Sequence, residues 1–114
     1  MFLNGDHKKR YREIKKDSRE YEALIYILTG NEDLYNEINK IYDIKNRRLE
    51  LNFDSEGEPI LSDLWLSSSS AALLRLAIQL FNGAGKQNVF ETFCSLDSEN
   101  TKLAMEAIRI RFEL

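Results

Sequence analysis

One helical segment of this chain has almost no polar side. In Ala71-Ala-Leu-Leu-Arg-Leu-Ala-Ile-Gln-Leu-Phe-Asn82, the residues Leu73, Leu74, Leu76, Ala77, Ile78, Leu80 and Phe81 take up most of a helical circumference. Only Arg75, Gln79 and Asn82 remain as a narrow polar stripe. A helix that is apolar nearly all round has to be covered by neighbours on several sides. The spacing therefore predicts a bundle with residues 71–82 at its centre. Four serines, Ser67 to Ser70, precede this run and supply an N-cap. Gly83 suits the left-handed position that ends a helix.

The rest of the chain reads as elements able to provide that cover. Asp6 is expected to cap a first helix running to about Asp17, with His7, Tyr11 and Ile14 as a thin inner stripe. A second helix is expected from Arg19, facing inward through Tyr21, Leu24, Ile25 and Leu28. Gly30 suits its C′ position, and Asn31 a new N-cap for a third helix with Leu34, Ile38, Ile41 and Tyr42 on its stripe. The period then changes: in Arg48-Leu-Glu-Leu-Asn-Phe53 apolar residues alternate, as on a half-buried strand, and a turn at 54–59 would return Ile60 and Leu61 as a short hairpin. A short segment around Val89, Phe90 and Phe93 follows, and Asp97 or Ser98 caps a last helix. On that helix Lys102, Glu106, Arg109 and Glu113 form an outer stripe of alternating sign. The expected fold is mainly α: one compact domain over residues 1–114, a bundle of five or six helices with a short β-hairpin near residues 48–61.

Composition narrows the function classes. With 43% hydrophobic and 31% charged residues, a chain of 114 residues has the balance of an ordinary globular domain. The single cysteine, Cys94, excludes an internal disulfide and a multi-cysteine zinc site. No apolar run nears the roughly 20 residues that span a bilayer, so no membrane association and a cytoplasmic location are expected. Charge is unevenly spread: residues 1–20 hold seven basic and four acidic side chains, residues 21–66 four basic and ten acidic, and residues 67–114 five of each.

Catalytic chemistry is poorly supplied. One histidine and one cysteine lie far apart without a surrounding signature, no set of His and Cys ligands implies a metal, and no cofactor is expected. "Asn-Gly-Ala-Gly-Lys" at 82–86 lacks the upstream glycine and the Ser or Thr of a phosphate loop. An anion seat built from Ser68 and Ser69, with Arg75 two turns on, competes poorly with plain capping, and Arg75 is expected to pair with one of the central acids. The protein is expected not to be an enzyme.

Two surfaces remain. Glu50, Asp54, Glu56, Glu58 and Asp63 gather near Trp65, and an acidic rim beside an aromatic suits a basic protein partner, with Asp54, Glu56, Glu58, Asp63 and Trp65 as the candidate contacts. The bland alternative is a solvated loop over a core tryptophan. In the first helix Lys8, Arg12, Lys15 and Arg19 recur along one row and would suit nucleic-acid phosphates, although Glu13, Asp17 and Glu20 interleave. Phe90, Phe93 and Leu114, if bare, leave room for a homodimer.

The blocks "Asp-His-Lys-Lys-Arg-Tyr" (6–11), "Ala-Leu-Ile-Tyr-Ile-Leu-Thr-Gly-Asn-Glu-Asp-Leu-Tyr" (23–35), "Ile-Tyr-Asp" (41–43), "Ser-Ser-Ser-Ala-Ala-Leu-Leu-Arg-Leu-Ala-Ile-Gln-Leu-Phe-Asn-Gly" (68–83) and "Ala-Ile-Arg-Ile-Arg-Phe" (107–112) occur in this order. In them the chain resembles a family of small uncharacterised proteins of Gram-positive bacteria, their phages and mobile elements, known only as a domain of unknown function. The resemblance carries no catalytic role to any residue. It implies a context in which small proteins inhibit or adapt a bacterial protein complex by occupying its surface, as inhibitors of nucleic-acid-directed defence systems do. The expected function is thus a non-enzymatic protein-binding module of that kind, with a nucleic-acid-binding regulator as the alternative.

Overall fold

A computed structural model describes residues 1–114. The chain folds into seven helices, α1 (Gly5–Glu13), α2 (Arg19–Gly30), α3 (Glu32–Asn36), α4 (Ile38–Ile41), α5 (Ser68–Asn82), α6 (Val89–Ser95) and α7 (Ser98–Phe112), with a two-stranded sheet between α4 and α5. Mainly helical architecture with a minor hairpin is as expected; two of the seven helices arise because the third splits. At Glu37 the backbone leaves helical geometry (φ −105°, ψ 13°), which divides α3 from α4.

The centre of the bundle is α2, not α5. Every residue from Ala23 to Thr29 is buried, and α5 and α7 both pack against this segment and against each other. Tyr26 and Thr29 fit inside because their hydroxyls find backbone partners: Tyr26 donates to the Met1 carbonyl, and Thr29 donates to the Ile25 carbonyl at 2.6 Å. A buried hydroxyl with a partner avoids the desolvation penalty, so these residues act as core. On α5 the apolar positions face α2 and α7, and Arg75 and Gln79 remain at the surface of the bundle. Ser67 caps α5 by accepting from Ser70 N, and Gly83 closes it in the left-handed region at φ +77°.

Three local expectations need correction. The first helix is capped by Asn4, which accepts from His7 N, and Asp6 sits in its first turn, where a carboxylate favours the positive helix end. It stops at Glu13 rather than Asp17, because the Lys16 ammonium folds back onto the Tyr11 and Ile14 carbonyls, 2.5 Å from each. The strand at Arg48–Leu49 pairs upstream with Tyr42–Asp43, with Asp43 organising the turn through Asn46 and Arg47 taking φ +55°. Ile60–Leu61 forms no strand; the two sides of the downstream turn meet at an isolated Phe53–Pro59 bridge, with Ile60 N donating to the Asn52 carbonyl and Asp54 N to the Glu58 carbonyl, each at 2.9 Å.

Gly30 is the last residue of α2 and has no positive φ. Its lack of a side chain serves packing instead: a Cβ here would lie 2.4 Å from Leu103 Cδ2 and 2.8 Å from His7 Cε1. Gly30→Ala should therefore lower stability by about 1–3 kcal/mol in urea denaturation, as overpacking does. Helix propensity alone predicts a gain of about 1 kcal/mol, so a stabilised variant would contradict this packing account.

Candidate functional site

Four helix N-termini open into one shallow cleft, with the caps Asn4, Asn31, Ser67 and Asp97 on its wall. Beneath them lies a buried polar cluster of Asn31, Ser70 and Asn100. Asn31 Oδ1 accepts from Leu34 N at 2.9 Å, while its Nδ2 donates to Ser70 Oγ at 3.1 Å and to Asn100 Oδ1 at 2.9 Å. Ser70 donates in turn to Asp33 Oδ2 at 2.8 Å, which also accepts from Ser67 N at 3.3 Å. Ser69 Oγ accepts from Asp97 N and from Asn100 Nδ2, at 2.9 and 2.8 Å.

The serines thus bolt α3, α5 and α7 together, and their hydrogen bonds are used internally. Ser68 is exposed, Ser69 is committed to α7, and Arg75 lines a separate open cleft with Glu58, Lys86 and Glu91. Ser68, Ser69 and Arg75 therefore do not form one anion seat. Arg75 also makes no ion pair within 4.0 Å, contrary to the expected pairing with a central acid.

The acidic turn is partly self-satisfied. Asp54 Oδ1 accepts from Glu56 N at 2.9 Å and Glu58 N at 3.0 Å, a local turn that fixes the loop. Glu58 Oε1 accepts from Lys86 N at 2.5 Å, and the Lys86 ammonium lies 3.7 Å from Glu56. Glu58 is accordingly a strut between this turn and the α5–α6 connection. Asp63 is exposed and makes no ion pair.

Trp65 is not a core residue. Leu64 and Leu66 pack against the core on either side of it, and the side chain between them is turned outward. Its exposure is 85%, yet its backbone is held, since Trp65 N donates to Glu37 Oε1 at 3.0 Å. An exposed tryptophan on a tethered backbone presents a large apolar face in a fixed place. Leu64, its neighbour in the chain, lines with Leu51, Ile60, Glu50 and Asp63 an open cleft of about 620 Å³.

The basic row of the first helix is broken. Lys15 lies past the end of α1, and Arg19 belongs to α2, where it pairs with Glu22 and with Glu113 at 2.9 Å. Lys8, Arg12 and Lys15 remain exposed without ion pairs. The neighbouring Arg10 is used by Glu32 at 2.6 Å and stacks over Tyr35. No ion pair links these cations to the acidic turn, so the two charged surfaces do not neutralise one another.

His7 is buried and has no free nitrogen: Nδ1 accepts from Leu3 N at 3.2 Å, and Nε2–H donates to the Tyr26 carbonyl at 2.9 Å. Burial depresses its pKa below the ordinary 6.5 and keeps the ring neutral. It serves to anchor the N-terminal residues and offers no base to Cys94, which is exposed on α6. No three His, Cys, Asp or Glu side chains gather to hold a metal ion. No helix is long and apolar enough to cross a membrane.

The family model described as "Family of unknown function (DUF6075)" matches residues 1–114. The chain belongs to this family. No match was found among curated proteins, and none among solved structures. In this DUF6075 member the large apolar residues left bare are Trp65, Val89 and Phe90, together with Met1, Ile44, Ile60, Met105, Phe112 and Leu114. Phe93, by contrast, packs against the core. The cleft residues missed by sequence reasoning are Leu51 and Leu64, whereas Glu50 belongs to the acidic cluster that the sequence singles out. Only the alternation of Leu64, Trp65 and Leu66 signalled that the tryptophan, flanked by two inward leucines, would face outward.

Proposed function

We propose that this protein is a non-enzymatic protein-binding module that acts by occupying a partner's surface through its Trp65 face. The observation that carries the reading is the exposure of Trp65, 85% on a backbone hydrogen-bonded to Glu37. Tryptophan is enriched among residues that dominate binding energy, and rim acids speed encounter and set specificity. The resemblance to small proteins of phages and mobile elements extends the reading to an inhibitor or adaptor of a bacterial protein complex, such as an anti-defence inhibitor.

The test is capture from lysate of the producing cells by the wild-type protein and by a Glu50→Lys, Glu56→Lys, Asp63→Lys variant, each with and without nuclease. Glu58 is left intact because it holds the Lys86 amide. A protein partner that resists nuclease and is lost from the folded variant is expected. Equal capture by both, and by a Trp65→Ala variant, would sink the reading.

Nucleic-acid binding through the first helix is a second reading, favoured by the unpaired Lys8, Arg12 and Lys15. It predicts recovery of nucleic acid, with affinity falling steeply as salt rises, and loss on Lys8→Glu, Arg12→Glu, Lys15→Glu.

A further inference from the structure

Resting on the protein-binding reading, we propose what the Trp65 face binds: an extended, lysine- or arginine-rich segment of a partner protein. In this arrangement one aliphatic side chain of the segment seats in the cleft beside Trp65, and its flanking cations meet Glu50 and Asp63. The cleft edge carries three ionisable residues, and they are unequal. Lys40 pairs with Glu37 at 3.5 Å, whereas Glu50 and Asp63 have no cation within 4.0 Å. The rest of the lining is Leu51, Ile60 and Leu64, which supply its apolar part, with the amides Asn39 and Asn52.

A cleft whose lining joins three apolar side chains to two uncompensated carboxylates is complementary to an aliphatic residue with cations beside it, and it repels an acidic segment. Trp65 follows Leu64 directly and adds an exposed ring onto which a guanidinium or ammonium can stack. Nucleic acid does not fit here, because its phosphates would approach Glu50 and Asp63.

The unique tryptophan is its own reporter. The full chain is titrated with three probes: a short peptide alternating lysine with leucine, its glutamate–leucine counterpart, and a single-stranded oligonucleotide. Trp65 emission is followed, with anisotropy of labelled probes as a second readout. The lysine–leucine peptide alone should shift the emission and saturate. Its affinity should fall about tenfold in the Glu50→Gln, Asp63→Asn variant, which removes two rim pairs without truncating any side chain. Raising salt from low to physiological strength should weaken it similarly.

Equal binding of the acidic peptide, binding of the oligonucleotide at this face, no saturable change with the basic peptide, or indifference to the charge-neutralising variant would each overturn the inference. The wider reading fails separately. If a partner captured from lysate is lost on Trp65→Ala but kept by Glu50→Gln, Asp63→Asn, the face binds protein and the basic-segment assignment is wrong.

Discussion

Asn31→Ala is expected to lower stability by about 3 kcal/mol, measured by urea denaturation at neutral pH. The substitution removes the cap of α3, worth about 1 kcal/mol. It also leaves the buried Asn100 Oδ1 without its donor, whereas Ser70 Oγ keeps the Ser67 hydroxyl as donor and Asp33 as acceptor. Each buried polar group deprived of its partner costs roughly 1–3 kcal/mol. Asn88→Ala separates the two contributions. Asn88 caps α6 in the same way, accepting from Glu91 N at 2.8 Å, but is exposed and bonds to no other helix through its side chain. Its loss should cost about 1 kcal/mol or less. If the two variants prove equally stable, the polar cluster contributes nothing beyond capping and the account of how α3, α5 and α7 are joined is wrong.

The second large effect is at His7. Its neutral ring accepts from Leu3 N through Nδ1 and donates to Tyr26 O through Nε2, with the ring 4.5 Å from that of Tyr26 and 5.1 Å from that of Phe2. Truncation to alanine removes both bonds and leaves a void, at an expected cost of about 2–4 kcal/mol. Protonation would turn Nδ1 into a donor facing the Leu3 N–H. Burial, the largest influence, and the positive charges of Arg10 and the N-terminus lower the pKa, against the raising effect of the Tyr26 carbonyl.

With the folded value below the unfolded 6.5, the native state binds fewer protons than the unfolded chain. The stability this provides is complete above about pH 6.5 and is lost as pH falls through the folded pKa, by at most about 1.4 kcal/mol per pH unit. The stability gap between wild type and His7→Gln should therefore narrow as the solution is taken below pH 6.5. Parallel pH profiles would show that His7 is not held neutral.

The sequence announces some parts of this protein and conceals others for physical reasons. Ser67 and Gly83 bracket α5 as expected, because caps act within a few residues and leave a local signature. The centrality of α2 is hidden, since Thr29 reads as polar until its hydroxyl partner, which folding supplies, is known. The pairing of Arg48–Leu49 with Tyr42–Asp43 depends on Asp43 and Arg47 shaping the turn, and Arg47 takes a left-handed conformation that nothing in its side chain advertises. Glycine at 30 looks like a helix terminator but is a packing site, because Leu103 and His7 arrive from distant parts of the chain.

The candidate site divides in the same way. Trp65, Asp54, Glu56, Glu58 and Asp63 stand out in the sequence by type and clustering. Which of the acids are spent internally is decided by Lys86, from the α5–α6 connection. The row of cations from Lys8 to Arg19 presumed one uninterrupted helix, and the turn at Lys16 divides it.

The most direct measurement is site-specific crosslinking in the producing cells. A photoreactive phenylalanine analogue is placed at Trp65 in one variant and at Arg12, on the exposed face of α1, in another. Both positions are exposed, so both variants should fold. The account predicts a discrete protein adduct from position 65 and none from position 12. No adduct at 65, or a protein or nucleic-acid adduct at 12 alone, would contradict it and move the working surface to the first helix.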